Sequence, residues 1–297
     1  MSSAVLLSFH GTVERLDDLP AFLANIRRGR PAPPELVAEV HHRYALIGGS
    51  PLLRQTREVA DSLEARLGVP VRVAGRLWHP YPAEALAELA ALGVTRVVSL
   101  PLAPQSVDVY HASVTEALAA TPGLELVKAP GWGEEPALLD ALEATVREAL
   151  PKLGAMPANE AAIVLSAHSL PKRILAMGDP YERQFRAMAE RVAERLRADG
   201  HPVSIAFQSQ GMTGDEWLGP DLEATFREHV ARGLGRILVA PIGFLAEHVE
   251  TLYDLDIEAP KIAERAGVAV YARAAAVGGR PRLLDALEAV ARRCLEG

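Results

Sequence analysis

VLSAHSLPKR (164–173) sets an apolar run against a histidine, a serine and then a proline. A short run without polar alternation reads as a parallel strand covered on both faces. Its end lies at the rim of a sheet, so His168 is delivered to the tip of a rigid element. Seven more runs have this character: VLLSF (5–9), VRVAGRL (71–77), RVVSLPLA (96–103), LELVKA (124–129), VSIAFQ (203–208), RILVAPIG (236–243) and VAVYARA (268–274). Between them, helical periodicity covers 51–67, 83–92, 135–149, 181–198, 220–233 and 281–295. Strand–helix alternation throughout predicts an α/β fold with a mostly parallel sheet in each half.

The halves resemble each other. LLSFHGT (6–12) aligns with VLSAHSL (164–170), setting His10 opposite His168, and TRVVSLPLAP (95–104) aligns with GRILVAPIGF (235–244). The chain therefore reads as two similar lobes, 1–155 and 156–297, with the turn-prone GAMPANE (154–160) at the boundary and the last helix packing back on the first lobe. Ligands of such sheets bind beyond the carboxyl ends of the strands. His10, Pro101–Gln105, His168 and Gly243–Glu250 belong to such ends, which predicts a cleft between the lobes.

Of 297 residues, 49% are hydrophobic, enough core for two mid-sized domains. A net charge of −7 with no long Lys/Arg run speaks against nucleic acid as a partner. A single cysteine, Cys294, makes neither an intrachain disulfide nor a cysteine-ligated cluster. No apolar stretch approaches the roughly 20 residues of a membrane span. MSSAVLLSFHG does not read as a signal peptide, so a cytoplasmic protein is expected.

His168 at a strand end can be neutral near pH 7, able to bind a metal or accept a proton, or it can be a hydrogen-bonded rim histidine. In IGFLAEHVETLYDLDIEAP (242–260), Glu250, Asp254 and Glu258 follow at i, i+4 and i+8, with Glu247 and His248 one turn earlier. Such a row is either a solvated acidic face or a set of oxygen donors for a divalent cation. His41 and His42 read as bystanders on a surface helix, and His79 and Tyr81 as turn-shaping residues. No GxGxxG or GxxxxGK[ST] follows a strand, and SAHSLP lacks the GxSxG elbow of a serine hydrolase.

Taken together, SAHSLP (166–171), GDPY (178–181), FQSQG with WLGP (207–220), AEHVETLYDLDIE (246–258), IRRGRPAPPEL and RYALIGGSPL (26–53) resemble the ferrochelatases, which insert ferrous iron into a porphyrin. The resemblance implies two Rossmann-like lobes of the chelatase type. It implies His168 and Glu250 as the catalytic pair facing the macrocycle. His168, Glu250, Asp254 and Glu258 would handle the metal, the acidic row lying on a helix with a π-type stretch. Arg27, Arg28, Arg30, Arg43, Ser50, Gln105 and Trp217 would border the porphyrin, with His10, Glu247 and His248 in support. Fe²⁺ is then a substrate, with no prosthetic group and no iron–sulfur cluster, and with room for a regulatory divalent cation. A monomer with peripheral membrane contact at most is expected. The IRRGR and IGG stretches favour coproporphyrin III over protoporphyrin IX, although Gln105 looks closer to protoporphyrin-type members. A sirohydrochlorin chelatase using His10 with His168, or a non-catalytic tetrapyrrole carrier, is the alternative. The chain departs from the family pattern at His10, where a small residue is usual, at Val13 and Glu14, where some members carry tyrosine, and at Glu247, where aspartate is usual. IGGSPL is one residue short.

Overall fold

A computed structural model describes residues 2–211 and 214–297. Its strands are β1 (Ser3–Phe9), β2 (Val71–Gly75), β3 (Arg96–Pro101), β4 (Glu125–Lys128), β5 (Ala161–His168), β6 (Val203–Gln208), β7 (Arg236–Ala240) and β8 (Val270–Arg273). The helices are α1 (Leu19–Ile26), α2 (Pro34–Leu46), α3 (Leu52–Leu67), α4 (Pro82–Ala91), α5 (Val107–Leu118), α6 (Pro136–Ala149), α7 (Lys172–Ala176), α8 (Tyr181–Ala198), α9 (Leu222–Ala231), α10 (Val249–Tyr253), α11 (Ala259–Ala266) and α12 (Pro281–Glu296). All eight runs read as strands form strands. RILVAPIG stops at Ala240, because Pro241 has no N–H to continue the ladder.

The strands form two parallel sheets of the same order, β2-β1-β3-β4 and β6-β5-β7-β8. Register agrees as well. Ser3 pairs with Arg96 and Ser8 with Ala74, while Ala161 pairs with Arg236 and Ser166 with Ala206. His10 and His168 therefore occupy equivalent strand ends, as their aligned sequences imply.

The chain divides into a unit running to Trp132 that resumes at Leu283–Gly297, and a second unit, Gly133–Arg282. The division expected at 155/156 is thus corrected to 132/133. The reason is α6: Arg195 on α8 reaches Asp140 at 2.9 Å and Glu143 at 2.8 Å, fixing α6 to the second sheet. α12 belongs to the first unit, where Arg66 meets Asp285 at 2.8 Å and Arg96 donates to the Leu295 carbonyl at 2.8 Å.

In the second unit Ala162, Val164, Ala206, Ile237 and Val239 pack with Phe226 of α9 and with Leu255, Ala259 and Ala263. Side chains alternate along a strand, so Ser166 and His168 share that face of β5 with Ala162 and Val164. This face is the one crossed by the segment around Leu255. α1 and α5 were not suggested by periodicity. In α5 a core position is filled by His111, 2% exposed, which bonds the Ser99 hydroxyl at 2.9 Å and the Ala129 carbonyl at 2.9 Å.

Candidate active site

His168 ends β5, and the chain beyond it is tied down on both sides. Tyr181 donates its hydroxyl to the His168 carbonyl at 2.8 Å, and Ser169 N donates to the Gln208 carbonyl at 2.7 Å. Ser169 Oγ reaches the Leu218 carbonyl at 2.7 Å, and Leu218 N returns to the Leu170 carbonyl at 2.9 Å. The imidazole is therefore aimed by a strand and a small backbone clamp.

Glu250 lies in the first turn of α10, which opens after His248. Gly243, upstream, lies so close to β5 that a Cβ there would meet Ala167 Cβ at 2.4 Å, which brings the loop ahead of α10 against the end of β5. A Glu250 carboxylate oxygen stands 3.1 Å from His168 Nδ1, at ion-pair distance but off the hydrogen-bond direction. The same oxygen lies 3.6 Å from His248 Nε2. The His168 and Glu250 side chains keep 32% and 34% of their surface open, so a substrate can reach both. Burial works against charge on Glu250, yet the adjoining His168, with a smaller contribution from His248, outweighs it and holds the carboxyl well below the usual carboxylate range. Burial likewise opposes charge on His168, and the Glu250 carboxylate, with a smaller effect from Asp254, raises its pKa above the ordinary imidazole value. Each group thus favours the charged form of the other.

The acidic row is not a simple helical stripe. Asp254–Glu258 is a π-helical stretch between α10 and α11, which changes the residue period there. Asp254 accepts from the Ser209 hydroxyl. Glu258 accepts from the Tyr253 hydroxyl at 3.0 Å and from Lys261 at 2.9 Å. Among the described residues no three His, Cys, Asp or Glu side chains form a cage for a cation. The structure brings together His168, Glu250 and His248. Glu247 is engaged elsewhere, with Arg273 at 2.8 Å.

The residues expected at the porphyrin fall in both units. Arg27, Arg28 and Arg30 follow α1, with Arg28 in the left-handed region at φ 58°. Arg27 Nε is buried and has no hydrogen-bond partner among the described residues. Arg43 pairs with Glu39 at 2.8 Å, Ser50 precedes α3, and Gln105 is 4% exposed. His10 is exposed, and its carbonyl takes Leu77 N at 3.0 Å. In the second unit Trp217 packs over Gly211, where a Cβ would meet its ring at 2.8 Å. The indole N–H is buried without a partner among the described residues.

Sequence reasoning missed Gln208, Ser209, Asp256, Tyr271 and Arg273, which hold the segment around Glu250, and Ser166, which bonds Gln208. The legible signal was Ser166 itself, a hydroxyl inside an otherwise apolar strand.

Among the described residues no helix is long and apolar enough to cross a membrane. Solved structures similar in fold include SirB from Bacillus subtilis with Fe³⁺, at TM-score 0.63 and 15% identity over 99% of this chain and 96% of that one. CbiX, described as the terminal enzyme of sirohaem biosynthesis in denitrifying bacteria, gives TM-score 0.57 and 16% identity over 98% of each chain. Both establish the chelatase-like fold of two α/β lobes. In sequence, a ferrochelatase of Herpetosiphon aurantiacus is 34% identical over 97% of each chain. The coproporphyrin III ferrochelatase of Bacillus subtilis is 32% identical over 96% of each. The ferrochelatase family model matches residues 2–295, and the chain belongs to the ferrochelatase family.

Proposed function

We propose that this ferrochelatase inserts Fe²⁺ into coproporphyrin III, with His168 and Glu250 at the reacting centre. The observation that carries the reading is the His168–Glu250 pair, 3.1 Å apart and a third open, at the end of a buried strand. Insertion replaces two pyrrole N–H protons by one Fe²⁺, so the site has to take up or pass on two protons. The porphyrin supplies four nitrogen donors to the ion. The protein therefore needs no closed metal cage, only one or two donors that release the ion to the ring. A neutral imidazole and a carboxylate are such donors, and each also accepts a proton.

The choice of coproporphyrin is supported by the coproporphyrin III ferrochelatases among the relatives, of which the Anoxybacillus flavithermus enzyme is 32% identical over 96% of this chain. The Arg27–Arg30 segment supports it too, since guanidinium groups suit a substrate rich in propionates. Trp217 and Gln105 are proposed as walls of the site, and Asp254 and Glu258 as a relay for metal or protons. The test is anaerobic iron insertion with coproporphyrin III and protoporphyrin IX side by side. Faster turnover of coproporphyrin III is expected; turnover of protoporphyrin IX alone would reject the choice of substrate, and tight binding of either without turnover would reject catalysis.

The paired charges also set the pH dependence. His168 accepts a proton only when neutral, so kcat/KM falls as pH drops through its pKa, which Glu250 raises above the ordinary imidazole value. Replacing Glu250 with glutamine removes the larger attraction and leaves burial opposed only by the smaller effect of Asp254, so that pKa falls. Glu250→Gln is therefore expected to move the acid limb of kcat/KM to lower pH while lowering the plateau. An acid limb that stays in place would mean that His168 is not the group being titrated.

A further inference from the structure

Each unit carries a buried serine at the same step of its first strand, two residues before the aligned histidine. Ser8 lies opposite Ala74 of β2, and Ser166 lies opposite Ala206 of β6. Both are almost wholly enclosed, at 2% and 0% exposed. Each serine carbonyl also takes a backbone N–H from the loop after the neighbouring strand, one residue later in the second unit: Leu102 N donates to the Ser8 carbonyl at 2.7 Å, and Gly243 N to the Ser166 carbonyl at 3.0 Å. Gly75 N reaches the Pro80 carbonyl at 2.7 Å where Phe207 N reaches the Pro220 carbonyl at 2.8 Å.

The hydroxyls differ. Ser166 Oγ donates to Gln208 Oε1 at 2.7 Å, whereas Ser8 Oγ has no hydrogen-bond partner among the described residues. The equivalent of Gln208 in the first unit is Arg76. The fold therefore tolerates an unpaired hydroxyl at this step, although an unsatisfied buried donor is unfavourable. The serine–glutamine bond is thus not a requirement of the sheet. It is found in the unit that carries the His168–Glu250 pair.

Gln208 continues the chain of bonds. Its Nε2 donates to the Glu250 carbonyl at 2.7 Å. That carbonyl can only accept, so the amide nitrogen must face it, and the amide oxygen is left for the Ser166 hydroxyl. The helix leaves the carbonyl available to a side chain: Asp254 N turns to the Thr251 carbonyl instead. Gln208 also pairs in register with His168, and its backbone carbonyl takes Ser169 N at 2.7 Å. At 4% exposed it has little freedom to move. One side chain thus links the strand end bearing His168 to the helical turn bearing Glu250.

We infer that Gln208, its amide oriented by Ser166, is a positioning residue that sets Glu250 against His168 for metal insertion. This rests on the assignment of that pair as the reacting centre. A displacement on the order of 1 Å between reacting groups is enough to slow a reaction by tens to hundreds of times.

The test compares Gln208→Leu, Ser166→Ala, Ser166→Thr and the Ser166→Ala/Gln208→Leu double variant in the full chain, by anaerobic iron insertion and thermal unfolding. Gln208→Leu is expected to lower kcat about tenfold or more with porphyrin KM changed less than about twofold, the signature of lost transition-state geometry. Ser166→Thr, which keeps the hydroxyl, should restore most of the activity that Ser166→Ala loses. The double variant should be no slower than Gln208→Leu, because both changes break one chain. Full kcat in Gln208→Leu, losses that multiply in the double variant, or a loss matching the fraction unfolded would each overturn the inference. Failure of the unsubstituted enzyme to insert iron would instead reject the assigned reaction, so the two failures are distinguishable.

Discussion

His168→Ala is expected to lower iron insertion by about 10²- to 10⁴-fold, the usual contribution of a positioned acid–base group. The fold should survive. Position 168 is the last of β5, its side chain is 32% open, and the clamp around it uses backbone atoms and the hydroxyls of Ser169 and Tyr181, not the imidazole. Glu250 would lose its nearest imidazole but keep His248 at 3.6 Å and solvent access. Porphyrin affinity, followed by quenching of protein or porphyrin fluorescence, should change far less than kcat. Insertion within about threefold of the unsubstituted rate would remove His168 from the chemistry, since that is below the smallest effect such a group gives. Loss of binding with insertion kept at saturating porphyrin would make it a binding residue. Glu250→Gln should be less severe, because the amide still occupies the space and His168 still accepts a proton.

The strand architecture was readable because parallel strands covered on both faces are written as unbroken apolar runs. The duplicated order of the two sheets was visible in LLSFHGT against VLSAHSL, where strand, polar step and histidine recur in phase. The site was readable only where a residue type is unusual for its place, as His168 is at the tip of an apolar strand. Spacing alone does not describe the row where the backbone leaves the α-helix. An i, i+4, i+8 row assumes 3.6 residues per turn; in the π-helical stretch at Asp254–Glu258, Asp254 meets Ser209 and Glu258 meets Tyr253 and Lys261. The division between units was misplaced because GAMPANE is locally turn-like, whereas membership in a unit depends on long-range pairs such as Arg195 with Asp140. Gln208 and Arg273 could not be found from local pattern. Each acts across a gap in sequence, on a partner that only the folded sheet brings near.

Arg273→Met is expected to destabilise the second unit by about 3 kcal/mol, the lower end of the effect of removing one partner from a buried ion pair. Arg273 ends β8 and is 12% exposed at its side chain; Glu247 is 16% exposed. Its Nη1 meets the two Glu247 carboxylate oxygens at 2.8 and 3.1 Å, while Nε and Nη2 each meet an oxygen of Asp256 at 2.7 Å. Glu247 precedes α10 and Asp256 lies in the π-helical stretch, so one guanidinium grips both sides of the helix that carries Glu250. Tyr271, on the same strand, adds a bond from its hydroxyl to the Leu255 carbonyl at 2.7 Å. Lysine should recover less than half of the loss, because an ammonium group cannot fork to two carboxylates. The pH dependence gives the sharper check. In the native protein burial pushes the Glu247 carboxyl up, but Arg273 outweighs it and holds the pKa below 4.5, so the pair's contribution is present above that value and lost as pH falls through the lowered one. Without Arg273 the contacts from Thr251 and Ala276 N remain but oppose burial less, so the Glu247 pKa rises and protonation relieves the unpaired charge. The difference in stability between the two proteins should therefore narrow as pH is lowered from 7 towards 5, measured by denaturant unfolding at each pH. A gap that stays constant over that range would mean that the lost packing of the arginine stem, not the exposed charge of Glu247, accounts for the destabilisation.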